Sequence, residues 1–561
     1  MNKTIINRLV TRPLIISLLI LTIFASFLFL ISCSERKTST LQRDYLTPDI
    51  LCGTVRFSGG CSPKLDTLIR FGIALIHHMT YEDAEYTFDQ IIKADPHCFW
   101  GYWGKAMTLE HPLWPDVPDE DMLRQGYVLS QTALNLAKTK KEKYYGAAIA
   151  AYFKDGLNKN EHDRLIAFND GWQLASKELP DDIEAKLFSV LSMLAVAPPN
   201  DKSYKVQRDA GVICENILKE IPDHPGAFHY AIHAYDFPPL AQNAIRVARN
   251  YSQIAPEIPH ALHMPTHIFT RLGYWQESID LNLRSAAVAK KIPVRGHISA
   301  QYFHALDYLE YAYLQQSEYE KARDIATLID TLSGSFEYSP ITAYAIAAIP
   351  GRMFLEYQNW SNAANLSLNN KSKFPWKKFP QNEALVYFAK GIGAGRSGQP
   401  DVAFQSFEKL VDLQNTFKKS EANKYWIKQI EIQKTIVKAW QLFAENNKDK
   451  SLETMIFAAN LEDSTEKSPV TPGQLLPARE MLGDLLLELN KPKEALLQYE
   501  LSLQKSPNRF NSLFGAGKSA ELLGDYKKAE FYFRELQKNC KSSGEKRDHL
   551  IYASKFINDK I

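Results

Sequence analysis

Six of the seven imidazoles between Phe228 and Asp307 fall at spacings that repeat: His229, His233, His260, His263, His267 and His304. His229 and His233 form an i, i+4 pair, and the same pair returns 34 residues later as His263 and His267. Residues four apart share one face of a helix. Neutral imidazole is the commonest protein ligand for transition metals, so such pairs can bind one ion from two sides. A set made of His229, His233, His263, His267 and His304, with Asp307 as a further ligand or orienting carboxylate, suits zinc, copper or iron over magnesium or calcium. Two other readings stay open. The imidazoles could hydrogen-bond across adjacent helices as a semi-buried polar seam, or they could take an anionic or aromatic ligand without metal.

Catalytic signatures are sparse. Tyr230 follows His229, so the His-Glu-x-x-His arrangement, whose glutamate is the general base of many zinc peptidases, is missing. A general base would have to be Asp307, Glu110 or a spare histidine. No serine or cysteine sits in a nucleophile elbow or a Cys–His signature.

The 34-residue recurrence sets the elements that must carry these side chains. A unit begun at Leu65 puts Gly72 at position 8, Ala84 at 20, Phe88 at 24 and Pro96 at 32. The next unit opens on Phe99 and is cut by Pro112, Pro115 and Pro118, so its second helix must begin late. From Glu120 to Ala197 helical periodicity persists without clean units. The frame returns at Leu191 and continues from Pro225 and Pro259. After a loop holding Pro293 and Gly296 it resumes at Phe303, Tyr344 and Ala384. Near the end Gly483 and Gly517, Ala495 and Ala529, and Tyr499 and Phe533 are each 34 apart. Strand signals are nearly absent.

This pattern of small, aromatic and proline positions resembles the tetratricopeptide repeat. The resemblance implies an all-α solenoid of helical hairpins with a concave groove, an architecture whose usual role is binding. In that family positions 2, 5 and 9 line the groove. His229 and His263 fall at 5, His233 and His267 at 9, His260 and His304 at 2, and Asp307 at 5. His77 and His111 both fall at 13, also on the groove side by family geometry. Glu110 and Trp100 are further groove candidates. The implied occupant is a protein or a small molecule.

At the N-terminus Lys3, Arg8 and Arg12 precede the apolar run Leu14–Ser32, the order of an export signal. Leu30-Ile31-Ser32-Cys33 resembles the lipobox of bacterial lipoproteins, which implies lipidation of Cys33 and stable anchoring through several acyl chains. With no acidic residue directly after Cys33, the family pattern favours the outer membrane, with the protein periplasmic or surface-exposed. Expected boundaries are a signal peptide over 1–32, a tether over 33–50, a histidine-rich repeat region over 51–334 and a C-terminal repeat region over 335–561. The chain has 66 basic and 64 acidic residues, a net charge of +2, which gives no general pull toward nucleic acid. Five cysteines remain beyond Cys33. In an oxidising compartment Cys61 and Cys98, which flank the first hairpin, are the expected disulfide. The stretches Cys61–Trp114 and His263–Ile268 look similar to a group of bacterial exported tetratricopeptide proteins. That likeness implies no particular activity.

Overall fold

Two antiparallel helices can cross closely only where one of them lacks a side chain. A Cβ on Gly72 would lie 2.6 Å from the Phe88 ring, on Gly483 2.8 Å from Tyr499, and on Gly517 2.6 Å from Phe533. All are well inside ordinary carbon contact of about 3.5–4.0 Å. Position 8 meets position 24 in each of these hairpins, so the periodicity in the sequence is the packing of the structure.

The structure, a computed structural model, describes residues 45–559 apart from 115, 199–200, 333–334, 369–373, 418–423, 466–473, 542 and 544–546. Residues 1–32 and the expected lipidation site Cys33 lie outside the described residues. Among those described no helix is long and apolar enough to cross a membrane, and the only β features are two isolated bridges. The chain is an all-α, tetratricopeptide-like solenoid of helical hairpins. Pro63–His77 pairs with Tyr81–Ala94, and Phe99–Met107 with Glu120–Leu136. The second partner starts late, as the prolines require, where the Asp119 carboxylate accepts from Met122 N at 2.9 Å. The stretch without clean units holds a hairpin too, Lys140–Phe153 with Glu161–Glu178. The unit expected from Leu191 begins at Ile183 instead. Asp182 caps that helix by accepting from Ala185 N, and a cap is a local signal that the repeat frame does not see.

The apolar core divides in two, one cluster from Leu46 to Phe269 and another from Trp275 to Ile557. The expected boundary at 334/335 falls inside the second cluster. Each half closes on itself. In the first, His77 at the end of the opening helix meets Tyr230, 153 residues on. Thr54 N donates to Asp223 O at 3.1 Å. In the second, Trp275 Nε1 donates to Asn508 O at 2.9 Å, and Asn539 Nδ2 donates to Gln315 O at 2.9 Å. The expected tether is already part of the fold at its end: Tyr45 stacks on Tyr86 at 4.1 Å, and Leu46 N donates to Asp83 at 2.7 Å. Cys61 and Cys98 are neighbours but remain free thiols.

Candidate functional site

Three first helices carry the histidines: Pro225–Tyr235, the pair Pro259–His263 and Pro265–Leu272, and Ala300–Gln315. Proline at the first helical position suits the starts at 225, 259 and 265. Met264 keeps helical angles, φ −53° and ψ −39°, so the chain continues through Pro265 in the helical sense. Only the hydrogen bond that Pro265 cannot donate is lost. His260, His263 and His267 therefore stay in helical register across the interruption.

The six imidazoles sort into two groups of three. A ring nitrogen from each of His229, His233 and His260 lies within 4.8 Å of the other two, and the same holds for His263, His267 and His304. Within each group one pair is tighter: His229 Nε2 to His233 Nε2 is 3.1 Å, and His263 Nε2 to His267 Nε2 is 3.1 Å. Two nitrogens on one tetrahedral zinc, each about 2.0 Å from the ion, are about 3.3 Å apart. The groups adjoin, with the His260 and His263 rings 6.3 Å apart.

The far nitrogens decide the tautomers. His263 Nδ1 donates to Asn282 Oδ1 at 2.8 Å, an orientation fixed because Asn282 Nδ2 donates to Ser278 O. His267 Nδ1 donates to Asp236 at 3.0 Å, and Arg271 Nε donates to the other oxygen of that carboxylate at 2.8 Å. His229 Nδ1 donates to the His77 carbonyl at 2.6 Å. With their protons on Nδ1, neutral rings turn bare Nε2 lone pairs inward. His263 Nε2 and His267 Nε2 face each other in this way at 3.1 Å. His260 Nε2 is buried and has no hydrogen-bond partner. Burial lowers His263 and His229 well below the ordinary imidazole range, and neighbouring imidazoles push the same way. For His260 burial brings the value down to about 3. Neutral, convergent, pre-oriented imidazoles are the form that ligates.

The family geometry places these positions on an open groove, and here the structure differs. His229 and His263 are 0% exposed and His267 is 2%; only His233 is partly exposed. The helices that carry them are packed on nearly every face, so the stripe faces an interior.

Asp307 does not join the imidazoles. Its Oδ1 accepts from Arg352 Nη1 at 2.8 Å, beside Glu310 at 2.7 Å from the same nitrogen. The carboxylate that orients a histidine is Asp236, three residues after His233, and Asn282 and Gln301 do the same for His263 and His260. Tyr308, wholly buried, packs against His263, His267 and His304 at 4.7, 5.0 and 5.3 Å, and its hydroxyl has no partner. Sequence periodicity did not single out Asp236, Gln301 or Tyr308. The His–Asp spacing of three was the available signal for Asp236, since it puts the carboxylate one turn beyond a candidate ligand.

The remaining groove candidates scatter. His77 joins a third buried group with Glu184 and His224, at 2.6 and 3.0 Å from the carboxylate oxygens. Although burial acts the other way, the two imidazoles hold Glu184 below the ordinary carboxylate range. His77 also meets Tyr230 Oη at 2.9 Å, while His224 Nδ1 is buried without a partner; in this group a carboxylate stands where the other two have a third imidazole. Trp100 is core: its ring packs on Phe57, Phe99 and Trp103, and its indole N–H donates to Gly59 O. Glu110 is buried with neither oxygen partnered, and burial keeps it protonated well above its usual range. His111 pairs with Asp116 at 2.6 Å and stacks on Tyr81. It lines a chamber of about 100 Å³ with Trp114, Gln301 and Glu337. A larger cleft of about 450 Å³ lies between Arg271 and Pro238 on one side and Asp463, Arg479 and Lys505 on the other. Neither is lined by an imidazole of the two groups.

No protein-family model matches the chain, and no curated protein matches it. Among solved structures, yeast Tom70 is similar over 88% of this chain and 95% of that one, at 13% identity and a TM-score of 0.29. The APC/C hetero-tetramer Cut9–Hcn1 is similar over 89% and 97%, at 11% identity and 0.29. Scores this low add nothing to what the hairpins themselves show.

Proposed function

We propose that this protein is a helical-repeat binding module of the bacterial envelope that holds a transition metal inside its N-terminal half, at His263, His267 and His304. The observation that carries the reading is the facing pair of Nε2 atoms of His263 and His267. Both rings are committed by their Nδ1 hydrogen bonds, both are buried, and something positive must lie between the lone pairs. A shared proton would make His267 an imidazolium beside Asp236 and would join only two of the three rings. A metal ion would bond directly to all three nitrogens. The nitrogen-only donor set favours zinc, copper or iron.

The test is metal content of the full chain after reconstitution. The expected result is a tightly held transition metal that the joint variant His263→Ala, His267→Ala loses while its far-ultraviolet dichroism stays helical. Because the variant removes two buried rings, the parent supplies an independent readout: a chelator should lower its Tm. A parent that binds no transition metal and ignores the chelator leaves the imidazoles as a structural seam.

A second reading, a metal-dependent enzyme, is favoured by the number of ligands. Three protein ligands with a fourth position left over is the arrangement of catalytic zinc, whereas structural zinc is closed by four. Anchoring rests on the basic start, the apolar run and the lipobox-like tetrapeptide. Cys33→Ser should leave an unprocessed precursor and abolish palmitate labelling; equal labelling of mutant and parent would remove it.

A further inference from the structure

Resting on that reading, we infer that the chain binds two metal ions of unlike character, and that the second, at His229, His233 and His260, is the one open to an outside ligand. The first group is closed: His263, His267 and His304 are buried, and its rings are oriented by Asn282 and by the Asp236 carboxylate. A carboxylate on the far nitrogen raises ligand basicity and fixes the ring, which tightens metal binding. In the second group the orienting partners of His229 and His260 are neutral. His229 is oriented by a peptide carbonyl and His260 by Gln301 Oε1 at 3.1 Å. His233 is partly exposed.

What points to a ligand in the second group is His260. Its ring is 4% exposed, its Nδ1 faces Gln301, and its Nε2 has no hydrogen-bond partner although it is buried beside two other imidazoles. A buried, unpartnered acceptor is costly, and a bound cation would relieve it. His229 Nε2 lies 3.1 Å from His233 Nε2, a contact that a cation between the rings would replace. His260 and His263 are one helical turn apart on the same short helix, so the two sites share a backbone and fill in an order set by their orienting groups.

The surroundings also define what could reach the second site. The chamber of about 100 Å³ shares Gln301 with it, and Trp114, a chamber wall, lies 5.6 Å from the His260 ring. The charged and titratable groups facing that chamber are Glu82, Asp116, Glu337 and His111, with no lysine or arginine among its lining residues. Asp116 is held by His111, and Glu337 accepts from Ala300 N at 2.5 Å. With Glu82, the Asp116–His111 pair and a Glu337 that burial raises to about 7, the space offers an anion no lysine or arginine, so the ligand class is a small neutral donor such as imidazole.

Cobalt(II) titration of the metal-free full chain, followed by its visible absorption bands, tests this. Two equivalents should bind, the second at least tenfold more weakly, and imidazole should shift only the bands of the second. His233→Gln, a change at a partly exposed position, should bind one equivalent and lose the imidazole response. In the joint variant Asp116→Asn, Glu337→Gln the response to azide relative to imidazole should rise several-fold. One equivalent in the parent, two equivalents that respond alike, or a second equivalent unchanged in His233→Gln would overturn the inference while leaving a single metal site standing. An unchanged azide ratio would overturn the ligand class. No cobalt bound at all would remove the underlying metal reading as well.

Discussion

The two halves of the molecule fill their interiors with opposite chemistry. In the first, imidazoles converge: His229 meets His233 and His263 meets His267 through Nε2 at 3.1 Å, and His260 Nε2 has no partner. In the second, Arg509 is wholly buried, and every nitrogen of its guanidinium is used. Nε and Nη2 donate to Glu480 at 2.9 and 2.7 Å, Nη2 also donates to Glu356 at 2.7 Å, and Nη1 donates to Tyr311 Oη at 2.7 Å. These partners come from three separate helices, so the arginine ties the last hairpins back to the middle of the chain. An arginine keeps its charge and needs its acceptors in place, whereas an imidazole can be neutral, protonated or metal-bound. Elsewhere in that half burial is less well satisfied, since Arg352 Nε and Nη2, Asp307 Oδ2 and Glu310 Oε1 have no partner. What separates the two regions is donor type: the convergent imidazoles form sets of nitrogen ligands, and that is why the candidate site is placed there.

Acid should separate the halves most strongly. His78 and His260 are lowered by burial to about 3, and His229 and His263 are lowered well below 6.5 for the same cause. Between about 3 and 6.5 the unfolded chain binds protons at these rings and the folded chain does not. Stability of the metal-free first half therefore falls with falling pH, by about 1.4 kcal/mol per pH unit for each ring. In the second half burial pushes Glu310 up to about 8 despite Arg352, because Glu310 and Asp307 share that one guanidinium. Between about 4.5 and 8 the folded state keeps a proton the unfolded state gives up, so this group destabilises as pH rises. Hydrogen exchange at pH 5 and pH 8 should show protection shifting in opposite senses in the two halves. Parallel shifts would erase the contrast.

Arg509→Ala comes next in size. It strands Glu356 and Glu480 in the interior, and breaking a buried pair from one side costs roughly 3–5 kcal/mol. Exchange protection should fall over residues 478–558 and 300–357 and hold over 63–272. A uniform loss would mean that the halves are not separately closed.

Metal binding should then stabilise the histidine helices, residues 225–272 together with Ala300–Gln315, and not the last hairpins. At a free ion concentration 100 times Kd the gain is about 2.7 kcal/mol, read as a rise in Tm that a chelator reverses. Because burial keeps His263 neutral well below 6.5, the ion should be retained at pH 6, where exposed histidine sites begin to release it. Release near 6.5 would show that the rings are as hydrated as in a surface site.

The smallest effect tests modularity at the edge of the second half. Gly517→Leu drives a side chain into the Phe533 ring, with an overpacking cost of roughly 1–3 kcal/mol. The damage should remain within the last hairpins, since repeat units contact mainly their neighbours. Loss of protection at the histidine helices would contradict this.

Much of the scaffold was legible because its signals are local. Gly72 against Phe88, or Gly517 against Phe533, are contacts at a fixed separation within one hairpin, so period and residue type suffice. The histidine pairs were equally legible, since i, i+4 spacing and recurrence after 34 residues put them on one stripe. The frame missed the start at Ile183, because the cap at Asp182 lies outside the repeat consensus. It also placed Trp100 and His77 on a groove, when aromatic neighbours from residues 57, 145 and 188 enclose them.

The sequence by itself determined the helices, their pairing and the stripe that carries the imidazoles, since each depends on residues less than one repeat apart. Only the tertiary structure decided which stripe faces what. Curvature is the sum of small rotations between successive hairpins, and no single unit encodes it. That sum brings His77 to Tyr230 and Arg509 to Tyr311 across 153 and 198 residues. It also sends Asp307 to Arg352 while Asp236 takes the place beside His267. One stripe of histidines became two groups of three because the turn closed around them.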